Sequence, residues 1–95
     1  MRPQDATTYR NYPMSISKPA PNYPSAALYA NMEGSVVLGI NIAPDGTVPT
    51  MRLICSYPKG YDFERSAIEA VRYWKYQKSE TGYSDIRVMV RFLLR

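Results

Sequence analysis

Cys55, the only thiol of this chain, reads as a small core residue of a strand rather than a reactive thiol, because no His stands anywhere to take a proton from it. The commonest general base and the commonest metal ligand are therefore both missing. Eight scattered carboxylates with one Cys make no plausible zinc site, so no metal is expected. No phosphate-cradling loop, activated nucleophile or paired-carboxylate site is visible either, and an enzyme is the least favoured reading. The remaining chemistry is recognition. Arg87, Arg91 and Arg95 stand four residues apart near the C-terminus, and Pro21-Asn22-Tyr23-Pro24 offers carbonyls, an amide and a phenol on a stiff backbone. Nine tyrosines suit half-buried or contact surfaces. The net charge of +4 is a mild basic excess with no nucleic-acid motif behind it, so no nucleic-acid partner is expected.

These residues need elements to hold them. Ninety-five residues make one domain, which buries roughly 60–65% of its unfolded surface. No apolar run is long enough to cross a membrane, and no apolar stretch opens the chain as a secretory signal. A targeting segment, if the protein works outside the cytoplasm, would have been cut away or lie on another piece. Residues 1–17 show no steady period and read as an irregular N-terminal extension; the domain proper is read as 18–95. Lys18 to Pro24 carries three prolines and should be an extended arm from which Tyr23 projects.

Ser25 is the expected cap of a short helix from Ala26 to about Asn31, with Leu28 as its core contact and Gly34 ending the unit. From Ser35 to Ile42, Val36, Leu38, Ile40 and Ile42 alternate on one face of a strand. Ala43-Pro44-Asp45-Gly46 is a turn, and Val48 to Ser56 returns as a second strand with Met51, Leu53 and Cys55 on one face. Asp62 is the expected N-cap of a longer helix. Phe63, Ala67, Ala70, Val71 and Trp74 form its buried stripe, and Arg65 and Glu69 pair on its outside.

The last strand is the clearest: Ile86, Val88, Val90, Phe92 and Leu94 point one way, and Arg87, Met89, Arg91, Leu93 and Arg95 the other. A right-handed crossover that skips one place puts this strand beside the first, giving a sheet order of second, first, third. The expected core is Val36, Leu38, Ile40, Leu53, Phe63, Ala67, Val71, Trp74, Val88, Val90 and Phe92. The fold class is α+β: a three-stranded antiparallel sheet packed on one long helix plus one short N-terminal helix. Both outer strands keep free edges, and a free edge can pair with another protein's backbone.

Pro21-Asn22-Tyr23-Pro24, Glu33-Gly34-Ser35-Val36, Asp45-Gly46-Thr47-Val48, Phe63, Ala70-Val71-Arg72, Trp74-Lys75-Tyr76 and Val90-Arg91-Phe92 occur in that order over most of the chain. In order and spacing they resemble the C-terminal domain of the TonB energy-transducer family. The resemblance implies a periplasmic, non-enzymatic domain without cofactor. It implies an inner-membrane anchor upstream, driven by ExbB and ExbD, for a protein that imports siderophore-iron and cobalamin. It implies that the domain seizes the box peptide of TonB-dependent outer-membrane receptors as an extra strand. The partner-binding residues would be Arg87, Val88, Met89, Val90 and Arg91 of the last strand, with Pro21, Asn22, Tyr23 and Pro24 of the arm. For the arm, packing of Tyr23 on the long helix stands as an equal alternative. Ala20, Ala26 and Lys78 stand where many or some members carry Gln, Arg and Pro. A TolA-like or free-standing envelope interaction module, and a homodimer joined through open edges, are the alternative readings.

Overall fold

The computed structural model describes residues 13–95. Alternation of large aliphatic residues produces the two longest strands, and Pro, Gly and Asp punctuate them. In chain order the elements are β1 (Ser15–Ser17), α1 (Ser25–Tyr29), β2 (Gly34–Ile42), β3 (Thr50–Tyr57), α2 (Phe63–Val71), β4 (Lys75–Tyr76) and β5 (Tyr83–Phe92). The main sheet runs β3-β2-β5, all antiparallel, which is the order expected from the crossover. One face of it is covered by α2, packed on β2 and β3. The core unites Val36, Leu38 and Ile40 of β2, Phe63, Ala67 and Val71 of α2, Trp74 after it, and Val90 and Phe92 of β5. Val88 is partly buried against that cluster.

The arm is more ordered than its sequence suggests. Ser15–Ser17, expected as irregular, forms β1 and pairs antiparallel with β4 in a separate two-stranded sheet. All three residues of β1 are exposed, so no hydrophobic pattern marks the strand. Residues 1–12 of the expected extension lie outside the described residues.

Several local expectations are corrected. Pro24, not Ser25, occupies the N-cap of α1, with extended φ −60° and ψ 137° and no side-chain cap. Ala27 rather than Leu28 meets the core; Leu28 is 52% exposed. The small Ala is the residue a five-residue helix turns inward, and Leu28 lies beside it. Asn31, at φ 56°, makes the left-handed turn that ends the unit, and Gly34 does not. Gly34 instead opens β2 beneath Phe63, where a Cβ would lie 2.6 Å from the ring's Cδ2. Asp62 does stand at the N-cap of α2, but at φ 65° and with no capping bond. Its carboxylate reaches Arg65 at 3.4 Å, so Arg65 is paired there and not with Glu69.

The largest correction concerns β3. Its register against β2 shifts between Val37 and Leu38: Cys55 pairs with Val37 and Leu53 with Leu38, leaving Ile54 extra. Such a bulge adds one residue to one strand and breaks its alternation. Cys55 therefore sits on the exposed face, contrary to its expected place in the core. Ser56 takes the inward position opposite Val36 and is buried. Leu53, also expected in the core, is 41% exposed because β3 is an outer strand flanked only by β2.

Candidate binding edge

Among the described residues β5 is held on one side only. Its partners in β2 run without interruption from Gly34↔Phe92 to Ile40↔Ile86, and the register shifts only beyond Ile40. Among the described residues no strand pairs along its other side. Every second residue of such a strand presents its N–H and C=O outward. The outer side of β5 is thus an unpaired strand edge from Ile86 to Phe92, at whose end the Phe92 carbonyl accepts from the Tyr23 hydroxyl at 3.5 Å.

The sheet's other margin is blunted. β3 carries the bulge at Ile54 and is bounded by Pro49 and Pro58, neither of which has an amide to donate. A bulge twists an edge out of register with a straight visitor. The regular edge is therefore that of β5.

Side chains alternate across β5. Val90 and Phe92 are buried on the core side, and Ile86 and Val88 are half-buried there. Arg87, Met89 and Arg91 are exposed on the far face, where Met89 is opposite Val37 and Arg91 opposite Ser35. Arg87 is not a free charge. Its Nη2 donates to Asp85 Oδ2 at 3.1 Å, and Arg52 of β3 donates to the same oxygen at 3.2 Å. Those two bonds, Arg87 first, hold the Asp85 carboxyl below the ordinary aspartate range. Asp85 itself lies at φ 54°, and its amide donates to Asn41 Oδ1 at 2.9 Å. Arg91 and Arg95 have no ion pair among the described residues.

The arm flanks the same strand. At one end Pro13, Ser15 and Lys18 share a recess with residues 86–89 of β5, Trp74 and Tyr76. Next, Trp74 Nε1 donates to the carbonyl of Pro19 at 3.0 Å. At the far end the Tyr23 ring meets Phe92 and Phe63 edge-on, with centroids 5.7 and 6.1 Å away. Its hydroxyl donates to the Met32 carbonyl at 2.5 Å. Burial, with the nearby Glu33 charge as a smaller contributor, pushes that phenol up from its ordinary value. Tyr23 is therefore a clamp between arm and core rather than a projecting side chain. Asn22 is exposed, and its carbonyl accepts from the Ser66 hydroxyl of α2. Pro21 and Pro24 are half-buried.

Of the four arm candidates the structure brings only Tyr23 to β5, through Phe92, while Pro21, Asn22 and Pro24 border α2 beside Ser66 and Glu69. Lys18, Ser15 and Pro13 join this site without having been singled out. Their placement depends on β1 pairing with β4, sixty residues away, and on no local pattern.

A family model described as the Gram-negative bacterial TonB protein C-terminal matches residues 19–94. The chain belongs to the TonB C-terminal domain family. It is 30% identical over 82 residues to the Klebsiella pneumoniae protein TonB, covering 86% of this chain and 33% of that protein. It is 31% identical over 86 residues to the Escherichia coli K12 protein TonB, covering 90% of this chain and 35% of that protein. The chain therefore spans about a third of the length of these relatives. The solution structure of the Pseudomonas aeruginosa TonB C-terminal domain superposes with a TM-score of 0.67 at 22% identity, covering 88% of each chain. That likeness establishes the α+β fold. Domains of the family are periplasmic, non-enzymatic interaction modules, and this chain is one of them.

Proposed function

We propose that this domain grips an extended segment of an outer-membrane receptor by adding it as a fourth strand along β5. In this reading it is the receptor-binding end of a TonB energy transducer. An inner-membrane anchor and ExbB/ExbD would supply pull derived from the proton-motive force, and the cargo would be siderophore-iron or cobalamin. The single observation that carries the reading is the uninterrupted, one-sided pairing of β5 from Ile86 to Phe92. Strand addition reads backbone and so tolerates varied receptor segments. Each ladder bond contributes about 0.5–1.5 kcal/mol net, and ordering the incoming segment subtracts from the sum. The expected affinity is therefore near micromolar, about −8 kcal/mol. The arm reaches β5 through Tyr23, and the exposed Asn22, beside α2, would be a separate polar contact to the receptor. Self-association through β3 is disfavoured by the bulge and the flanking prolines.

Proline scanning tests this. Of two neighbours such as Met89 and Val90, one donates to β2 and the other presents its amide to the open side. Proline at the second position leaves the native ladder whole and removes one outward donor. That variant should keep its circular-dichroism spectrum and lose binding to a receptor box peptide. A folded variant that binds as tightly as the parent overturns the proposal.

A further inference from the structure

We propose that the recess at the Ile86 end of β5 is a subsite for one acidic side chain of the peptide added to that strand, an inference that rests on the strand-addition reading. The recess has a volume of about 220 Å³ and lies along the open edge of β5, lined by Ile86 and Val88 of its core face and by Arg87 and Met89 of its far face. Ile86 and Val88 face it from β5, and Trp74 and Tyr76 line it from the stretch after α2. A strand laid along β5 shares its pleat, so alternate side chains of the visitor point to the core side. Those opposite Ile86 and Val88 would point to the wall of the recess formed by Lys18, Trp74 and Tyr76.

Its charge selects the occupant. The recess is lined by two cations, Lys18 and Arg87, and by no carboxylate. Arg87 already serves Asp85, whereas Lys18 meets no acidic group among the described residues. The Lys18 ammonium lies 4.9 Å from the centroid of the Trp74 ring, a cation–π contact that leaves its remaining donors free. The backbone of Lys18 is held on both sides, and its side chain is exposed. Ser17 pairs with Lys75, and the Pro19 carbonyl accepts from Trp74 Nε1 at 3.0 Å. A carboxylate with an aliphatic stem matches these walls: the stem lies on Val88 and Trp74, and the oxygens reach Lys18. A basic side chain there would meet two like charges, and an apolar one would leave Lys18 unpaired.

The probe is a set of capped seven-residue peptides of alternating Thr and Val, in which one Glu is walked through every position and compared with Gln. Affinities are measured by calorimetry at low and high salt, and amide shifts show whether each peptide lies along β5. One core-facing position should favour Glu over Gln by about three- to tenfold, with the preference shrinking in salt. Lys18→Met keeps the packing on Trp74 and should abolish the preference, and Lys18→Glu should reverse it towards Lys. Peptides that bind along β5 with no acidic preference, or with one that Lys18→Met leaves intact, overturn the subsite while strand addition stands. Failure of every peptide to bind along β5 overturns both.

Discussion

Replacing Trp74 by phenylalanine should release the arm from the body of the domain. The indole is buried to 7% exposure, and its Nε1–H is the bond to the Pro19 carbonyl, at 3.0 Å. Phenylalanine cannot make that bond, whose net worth is about 1 kcal/mol. Removal of the second ring leaves roughly 40 Å³ unfilled, a further cost of about 1 kcal/mol at 24 cal/mol per Å³. Weaker attraction for the Lys18 ammonium subtracts at most about 0.5 kcal/mol more. The sum is about 2–2.5 kcal/mol, which lowers the melting temperature of a domain this small by roughly 10–15 °C. Urea titration measures the total. Hydrogen exchange separates the local part: the Gln77 amide, bonded to the Met14 carbonyl at 2.8 Å, reports whether β1 still lies on β4. It should exchange faster in the variant by more than the global loss explains. A stability loss under about 0.5 kcal/mol, with Gln77 exchange unchanged, would show that the indole does not peg the arm.

Ser56→Ala removes a 2.6 Å bond to Glu64 Oε2 and should cost about 1–2 kcal/mol at neutral pH by urea titration. The Ser56 hydroxyl, the leading cause, lowers the Glu64 carboxyl from its ordinary 4.5. A lowered carboxyl stabilises the fold above the unfolded value and loses that contribution as pH falls through the folded one. The gap between parent and variant should therefore be full above about pH 5 and shrink below 4.5; a gap that widens in acid contradicts this. Cys55, exposed on β3, should react with a maleimide in the native protein as fast as a free thiol does; labelling that needs denaturant would place it inside after all.

What the sequence disclosed followed from how far each signal reaches. The alternation of Val36, Leu38, Ile40 and Ile42, and of Ile86 to Phe92, carried β2 and β5 and the inward faces of both. The Pro44-Asp45-Gly46 turn was equally legible, because its chemistry is local: Thr47 N–H donates to Asp45 Oδ1 at 3.0 Å, and Gly46 takes φ 92°. The helical stripe of Phe63, Ala67, Ala70 and Val71 also stands as read. Long-range features were not legible. β1 is three exposed residues whose only reason to be extended is β4. The β3 bulge is set by pairing with β2, and nothing around Ile54 announces it, so Cys55 and Ser56 exchanged faces. Tyr23 fell between two readings because its partners, Phe63 of α2, Phe92 of β5 and the Met32 carbonyl of the turn before β2, are joined only by the fold. For the candidate edge, the strand and its face pattern were readable, while the recess beside it required the folded arm.

Amide hydrogen exchange along Ile86 to Phe92, with and without a receptor box peptide, tests strand addition most directly. Without peptide, every second amide of the stretch should exchange rapidly, and with peptide that same alternate set should be slowed by about a hundredfold or more. Protection that appears along Thr50 to Tyr57 instead, or nowhere on the sheet while the peptide is bound, would contradict the account.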